Sequence, residues 1–499
     1  MLLAPPTYQR SRNPQFILYL SSTHVSLLRT PERYGIVRGD LIILGYPPGE
    51  WEFVCCESRI AVSPWRADVG SSNWLTRPFR NRCVAMKILF AALGYKPAYR
   101  IGGPIEAVAC TAEHLVRKGH HVTVFTTNCN LDQDLDVPVN QPLDVNGVEV
   151  WYFRRKEILK SWLPFVPYVS KSIGFLYAPA MNGQLKKLVP KMDVVHTLNP
   201  FIYPTYATAR AAREFGKPMF YSQHGALGPE HLKFRALKKT LYLNFIERPL
   251  MRQAASLIAL TDAEVDSYRA LGVDNPCEVV PNGTDVVNYR TQASRAFNQR
   301  WSIPPDALVI LFLGRLHPIK GADKLLQAFF QIQTRFPQSR LVIAGPDECG
   351  LEPRFREDVS RAGLTDRVLF PGMVSGEEKL DWLARADVFA LPSAAEGFSM
   401  ATLEALASGT AVLLSPGCHF PEVQTAGAGR IVPRDATSIA RALGELLAQP
   451  ATLREMGESG RRFVGDHYDW SVIADRLLET YRRHLNRTSA ETPGARRAA

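Results

Sequence analysis

From Met86 onward the chain alternates short apolar runs of strand length with helical stretches, and the alternation runs through twice. A short, wholly apolar run suits a strand buried on both faces, and a helix is the usual crossover between parallel neighbours. The first series opens with Met86-Lys-Ile-Leu-Phe-Ala-Ala92 and predicts a helix over 104–119 and strands over 121–126, 194–197, 218–222, 256–260 and 277–280. Pro281-Asn-Gly-Thr-Asp285 then breaks the pattern. A second series predicts strands over 308–313, 341–344, 368–370, 388–390 and 411–415. The simplest fold is α/β, with two Rossmann-like domains, 86–285 and 286–469, facing across an interdomain cleft. The pattern adds a C-terminal helix over 470–485, crossing back to the N-terminal domain, and a disordered tail over 486–499 rich in Ala, Arg, Thr and Pro.

Residues 1–85 read differently. They hold ten arginines, no lysine and no sustained helical or alternating period. The expectation is a poorly structured extension, read through from a start upstream of Met86, with a small accessory domain as the alternative. The 499 residues are too many for one core, and a hydrophobic content of 46% with 21% charged residues is that of a soluble globular protein. No apolar run approaches the length of a membrane span, and the short stretch Phe16-Ile-Leu-Tyr-Leu20 is a poor signal peptide. The eight scattered cysteines lack paired metal spacing, so free thiols in a reducing cytoplasm are expected. A net charge of +11 spread along the chain suits an anionic ligand or membrane surface better than nucleic acid.

Ligands of open α/β sheets bind at the carboxyl ends of the strands, and the chemically distinctive residues cluster at such ends. After Leu313, Gly314 permits close backbone approach, while Arg315 and Lys320 offer a fork and a point charge to phosphate oxygens. Glu396 follows the strand pattern Asp387-Val-Phe-Ala-Leu-Pro392, and Glu404 lies on the next helix, which Ser399 caps and Gly409 ends. A helix start flanked by two carboxylates suits a phosphorylated, hydroxyl-rich ligand. The amides attract a diphosphate, and carboxylates accept hydrogen bonds from ribose or sugar hydroxyls. Glu396 and Glu404 do not read as a glycosidase pair, which sits about 5–9.5 Å apart, because eight helical residues rise about 12 Å.

Four motifs in order, Pro281-Asn-Gly-Thr-Asp285, Gly314-Arg315…Lys320-Gly321, Pro371-Gly-Met-Val374 and Glu396…Glu404, resemble those of family 4 retaining glycosyltransferases of the GT-B fold. The likeness runs from Met86 to about His484. It implies that Arg315 and Lys320 grip a donor diphosphate and that Glu404 binds the ribose. Glu396, with the backbone of Gly397, Phe398 and Ser399, would face the donor sugar, and Val374 would meet the base through its backbone. Gly102-Gly103-Pro104 matches the family's glycine loop near the diphosphate. His224, in Tyr221-Ser-Gln-His-Gly225, resembles the histidine near the transferred sugar, where it forms hydrogen bonds. His224 and Glu396 are thus the catalytic candidates.

The resemblance implies a hexosyltransferase-type enzyme that moves a sugar from a UDP- or GDP-sugar to a hydroxyl acceptor in cell-surface polysaccharide or glycolipid assembly. Attack comes from the face the leaving group departs, and that diphosphate helps take the acceptor proton. A nucleotide-sugar epimerase or inverting transferase on the same fold, and a non-catalytic sugar-nucleotide-binding protein, are the alternatives. No cofactor and no catalytic metal are expected. The formal D-x-D of Asp132 and Asp134 lies in a polar stretch with no buried strand before it and reads as a solvated loop. Residues 231–252 hold six basic residues against one acidic residue, with Phe234, Leu237, Leu241 and Phe245 in a stripe. They read either as a core-facing helix with a solvated basic face or as a peripheral contact with anionic lipid. Trp162-Leu-Pro-Phe-Val-Pro-Tyr168 reads as acceptor mouth or packing. The expected location is cytoplasmic, peripheral at the inner face of the membrane.

Overall fold

The computed structural model describes residues 85–131, 133–156, 175–228, 232 and 236–490, together with five strands between residues 26 and 60. Contacts divide the chain into two compact units, Met1–Val84 and Ala85–Ala499. In the first, β1 (Ser26–Thr30), β2 (Arg33–Arg38), β3 (Leu41–Tyr46), β4 (Glu50–Cys55) and β5 (Ser58–Ile60) form an antiparallel meander. These strands fall within the stretch for which the sequence pattern left a poorly structured extension and a small accessory domain open. The signal was local: two runs of strand length separated by Gly39-Asp40 are a hairpin pattern, which a search for long alternation passes over.

The second unit holds two doubly wound sheets. The first is built from β6 (Lys87–Ala91), β7 (His121–Thr127), β10 (Pro142–Val145), β11 (Val148–Phe153), β12 (Val194–Leu198), β13 (Met219–Ser222), β14 (Ser256–Ala259) and β15 (Cys277–Val279). A two-stranded ribbon, β8 (Cys129–Asn130) with β9 (Gln133–Asp134), stands apart from it. The spatial order is β10-β11-β7-β6-β12-β13-β14-β15, parallel except for the pairing of β10 with β11. The second sheet contains β16 (Leu308–Leu313), β17 (Ser339–Ala344), β18 (Val368–Gly372), β19 (Val388–Leu391), β20 (Ala411–Leu414) and β21 (Gly429–Ile431). Its order, β18-β17-β16-β19-β20-β21, is parallel throughout. Numbered within itself this is the 3-2-1-4-5-6 order of the dinucleotide-binding fold, with its switch point between β16 and β19. The first sheet switches in the same way between β6 and β12.

The central strands are apolar on both faces because helices cover both. β19 and β20 are buried along their whole length, as are Val309–Leu313 of β16. The helix Trp470–Ala490 returns from the second sheet to the first. Its apolar face, Trp470, Ile473, Ala474, Leu477, Leu478 and Tyr481, lies in one core with Phe90, Val194 and Phe220. Residues spaced three and four apart put that stripe on one side of the helix. The helix continues to Ala490, past the predicted end at 485, so its last turns replace the start of the predicted tail. The two passages between the sheets are tied where they meet, since Thr284 N–H donates to the Tyr468 carbonyl at 2.8 Å.

Candidate functional site

The loops that leave β16 and β19 form one wall of the site. After β16 the chain runs through Arg315 to a short 3-10 turn, Pro318–Lys320. Gly321 follows in the left-handed region, φ 78°, packed so closely on the Pro392 carbonyl that a side chain would not fit. The two loops are joined through backbone, Ala394 N–H donating to the Ile319 carbonyl at 2.7 Å, and the second is also tied to the turn after β20, Glu396 N–H donating to the Gly417 carbonyl at 2.8 Å. The Lys320 ammonium therefore stands 2.7 Å from both carboxylate oxygens of Glu396, whose side chain is 8% exposed.

Ser399 caps the helix Met400–Ala407, its hydroxyl accepting from Thr402 N–H at 3.2 Å. Gly409, just past the helix end, has φ 77°. Glu404 points inward from this helix and is also 8% exposed, with Lys379 Nζ 2.7 Å from its Oε1. Lys379 comes from the helix Gly376–Arg385. The sequence reading missed it because the pair spans twenty-five residues and matches no motif. Ser375-Gly-Glu-Glu378 has the capping-box pattern before that helix, yet the Ser375 side chain makes no capping bond there.

The other expected residues fall as follows. Arg315 lies at the same edge but pairs with Glu348 at 2.7 Å and is about half exposed. The Phe398 ring packs on Tyr468 at 5.7 Å and Phe420 at 5.2 Å. Val374 lies just past β18 with its side chain in the core. Asp134 is held by Arg155 at 2.6 Å on the first sheet's side, and Asp132 lies outside the described residues.

The facing wall comes from the first sheet. Gly102, φ 101°, caps the helix Gly103–Arg117, and a Cβ at Gly103 would lie 3.6 Å from Met400 Cγ. His224 leaves β13 with φ 47°, an uncommon conformation for a residue with a side chain. At the next residue the walls touch: a Cβ on Gly397 would come within 2.9 Å of Gly225 Cα and 3.4 Å of the His224 carbonyl carbon. The fold thus sets the His224 turn directly against the residue after Glu396.

Burial pushes the His224 imidazole down to about 4, so it is neutral at pH 7. His224 lines a cavity of about 30 Å³ with His196, Ser222 and Asn282. His196 is fully buried and neutral, pushed to about 3, and its ring nitrogens contact Tyr481 Oη and Ser222 Oγ at 2.7 Å each. Tyr481 thereby links the returning helix to the strand that carries His224.

In the basic stretch, Leu237 and Phe245 are each 76% exposed and Leu241 is half-buried. This part of the stripe faces outward, not toward the core. Phe234, Lys233 and Arg235 lie outside the described residues, as does Trp162–Tyr168. Among the described residues no helix is long and apolar enough to cross a membrane.

Two Rossmann-like halves whose strand ends face each other, with cations and carboxylates on one side and a histidine turn on the other, define a GT-B architecture. Residues 102–283 match the glycosyl transferase 4-like domain, and residues 294–463 match glycosyl transferases group 1. The chain belongs to the family 4 glycosyltransferases of the GT-B fold. It is 32% identical over 250 residues to D-inositol 3-phosphate glycosyltransferase 2 of Catenulispora acidiphila, covering 48% of this chain and 58% of that protein. It is 28% identical over 311 residues to the GDP-mannose:cellobiosyl-diphosphopolyprenol alpha-mannosyltransferase of Xanthomonas campestris, covering 62% of this chain and 77% of that protein. The chain spans about half the length of most of the curated relatives it matches. Among solved structures, sucrose-phosphate synthase from Thermosynechococcus elongatus superposes with a TM-score of 0.62 at 23% identity, over 81% of this chain and 100% of that one. Anabaena HepE in complex with UDP and glucose gives 0.60 at 20% identity, over 79% and 99%. Likeness at these identities carries the fold.

Proposed function

We propose that the protein is a retaining hexosyltransferase that moves a sugar from a UDP- or GDP-sugar to a hydroxyl acceptor in polysaccharide or glycolipid assembly. The observation that carries this reading is the meeting, at the carboxyl ends of strands from the two sheets, of the Lys320–Glu396 pair with the His224–Gly225 turn. A donor diphosphate competes for Lys320 and frees Glu396 to accept hydrogen bonds from sugar hydroxyls. Arg315, Lys320 and the start of the helix Met400–Ala407 hold the negative charge of the departing diphosphate, so we assign that role to them rather than to a divalent cation. Neutral His224 forms a hydrogen bond at the sugar, and Glu404 holds the ribose beside Lys379. With no side chain assigned as nucleophile, attack on the same face as departure gives retention, the leaving diphosphate taking the acceptor proton.

The Xanthomonas relative, named for a transfer from GDP-mannose to a cellobiosyl-diphosphopolyprenol, supports a lipid-linked acceptor here. We further propose that the exposed Leu237 and Phe245, with Arg248 and Arg252 on the same stretch, rest on anionic lipid at the cytoplasmic face. Sedimentation with phosphatidylglycerol vesicles, and its loss in Leu237→Ser/Phe245→Ser, tests that contact. Turnover is tested by incubating the protein with UDP- or GDP-hexoses and polyprenyl-diphosphate sugars and reading the product's anomeric configuration by NMR. A product with the donor's configuration supports the reading. An inverted product, or epimerised donor without transfer, overturns it.

A further inference from the structure

We propose that Glu264 is the positioning residue for His224, fixing the turn that carries the imidazole through a carboxylate that accepts two converging backbone N–H groups. This rests on the reading of His224 as the group that faces the donor sugar.

Thr261-Asp-Ala-Glu264 has the pattern of a capping box opening the helix Asp262–Ala270. The Thr261 hydroxyl does accept from Glu264 N–H, at 3.4 Å. The Glu264 carboxylate goes elsewhere. Oε2 accepts from Leu260 N–H at 2.8 Å, and Oε1 accepts from Gly225 N–H, across to the exit of β13. On the other side of His224, the Gln223 amide donates to the Glu264 carbonyl at 3.0 Å and its oxygen accepts from Leu227 N–H at 3.1 Å. Both chain neighbours of His224 are therefore tied to residue 264, and His224 between them is held at φ 47°. A side chain in that conformation persists when its surroundings over-determine it.

The chemistry calls for a carboxylate. Two N–H donors converge, and only a carboxylate offers an acceptor to each. An amide of the same shape turns its NH2 toward one donor, leaving two donors facing each other in a buried place. Aspartate keeps the charge but is one methylene shorter, so it reaches Leu260 on its own chain and loses Gly225. Glu264 is 5% exposed, and burial pushes its carboxyl up to about 7. The titratable groups described against it are Tyr268 and Cys277. A buried carboxyl group kept next to the catalytic candidate, and on no donor-binding loop, fits a role exerted through His224.

The test uses the full chain. Glu264→Gln and Glu264→Asp are compared with the wild type for UDP and GDP binding by calorimetry and for nucleoside diphosphate release from UDP-glucose and GDP-mannose. The His224 imidazole signals are followed in histidine-labelled protein, assigned with His224→Gln. Both variants are expected to keep nucleotide Kd within about twofold, since those residues lie on the second sheet, and to lower kcat about ten- to hundredfold. The His224 signals should shift, and the acid limb expected in the wild-type kcat from protonation of Glu264 should be absent in Glu264→Gln. Unchanged His224 signals in both variants overturn the proposal, whether or not the wild type turns over these donors. A joint fall of nucleotide binding, melting temperature and kcat in both variants also overturns it, because it marks a purely structural residue. If His224 shifts while the wild type fails to turn over, the tether stands and the catalytic reading falls.

Discussion

Replacing Gly397 with alanine adds one methyl group at the point where the two walls of the cleft touch. The new Cβ would lie 2.9 Å from Gly225 Cα, 3.1 Å from Gly225 N and 3.4 Å from the His224 carbonyl carbon. Its neighbours are backbone, which cannot rotate aside as a flexible side chain does, so relief requires the walls to part by roughly half an ångström or more. Gly397 does not have positive φ, so alanine brings no backbone strain and the effect is one of contact. Overpacking of this kind costs about 1–3 kcal/mol. That amounts to a roughly 5- to 150-fold fall in the population of the closed arrangement. Both sheets keep their cores, so the melting temperature should change little and UDP or GDP should bind as before. Turnover should fall by the factor given above, because closure brings His224 to the donor. The assay is nucleoside diphosphate release under donor saturation, alongside calorimetry. Full turnover in Gly397→Ala would refute the claim that this contact belongs to the working conformation.

Three further perturbations follow from buried polar pairs. Lys379→Met leaves the Glu404 carboxylate buried without its cation, which should cost about 3 kcal/mol and lower the melting temperature; adding Glu404→Gln should restore stability but not nucleotide binding. Tyr481→Phe removes the 2.7 Å contact with His196 and should destabilise by about 1 kcal/mol in a denaturant titration, with the returning helix losing hydrogen-exchange protection first. The buried Glu247 carboxyl pairs with the Tyr221 hydroxyl at 2.5 Å, and burial pushes it up to about 7 from an ordinary value of 4.5, so its contribution to stability is complete below pH 4.5 and is lost as pH rises through 7. Relative to wild type, Glu247→Gln should therefore gain on the order of 3 kcal/mol between pH 4 and pH 8. An offset that stays constant with pH would contradict that assignment.

Most of the two-sheet fold was legible because fully apolar runs such as Leu308–Leu313 and Val388–Leu391 mark strands buried on both faces, and Gly and Pro punctuate the crossovers. The wall formed by Lys320, Glu396 and Glu404 was legible for a related reason: Lys320 and Glu396 sit on the loops just beyond such runs, where open sheets place their ligands, and Glu404 lies on the helix that follows. What stayed hidden depends on contacts between segments far apart in the chain. Lys379 meets Glu404, Tyr481 meets His196 and Glu264 meets Gly225 only once helices have packed, and no spacing rule reports those meetings. The outward stripe of Leu237 and Phe245 was ambiguous for a related reason, since periodicity shows that a helix has an apolar face but not what that face meets. The meander over residues 26–60 escaped because its strands are short and their pattern local.

The central claim is that Lys320, Glu396 and Glu404 form the donor site, and calorimetric titration with UDP, GDP and ADP tests it most directly. The account predicts that UDP or GDP binds the wild type and protects it against melting, by about 2.7 kcal/mol at a hundredfold excess over Kd. Lys320→Ala and Glu404→Ala should each weaken that binding at least about tenfold, one through a lost charge-assisted bond to phosphate and the other through a lost bond to ribose. Binding of equal strength in wild type and both variants would contradict the account, as would the absence of binding by any of the three nucleotides.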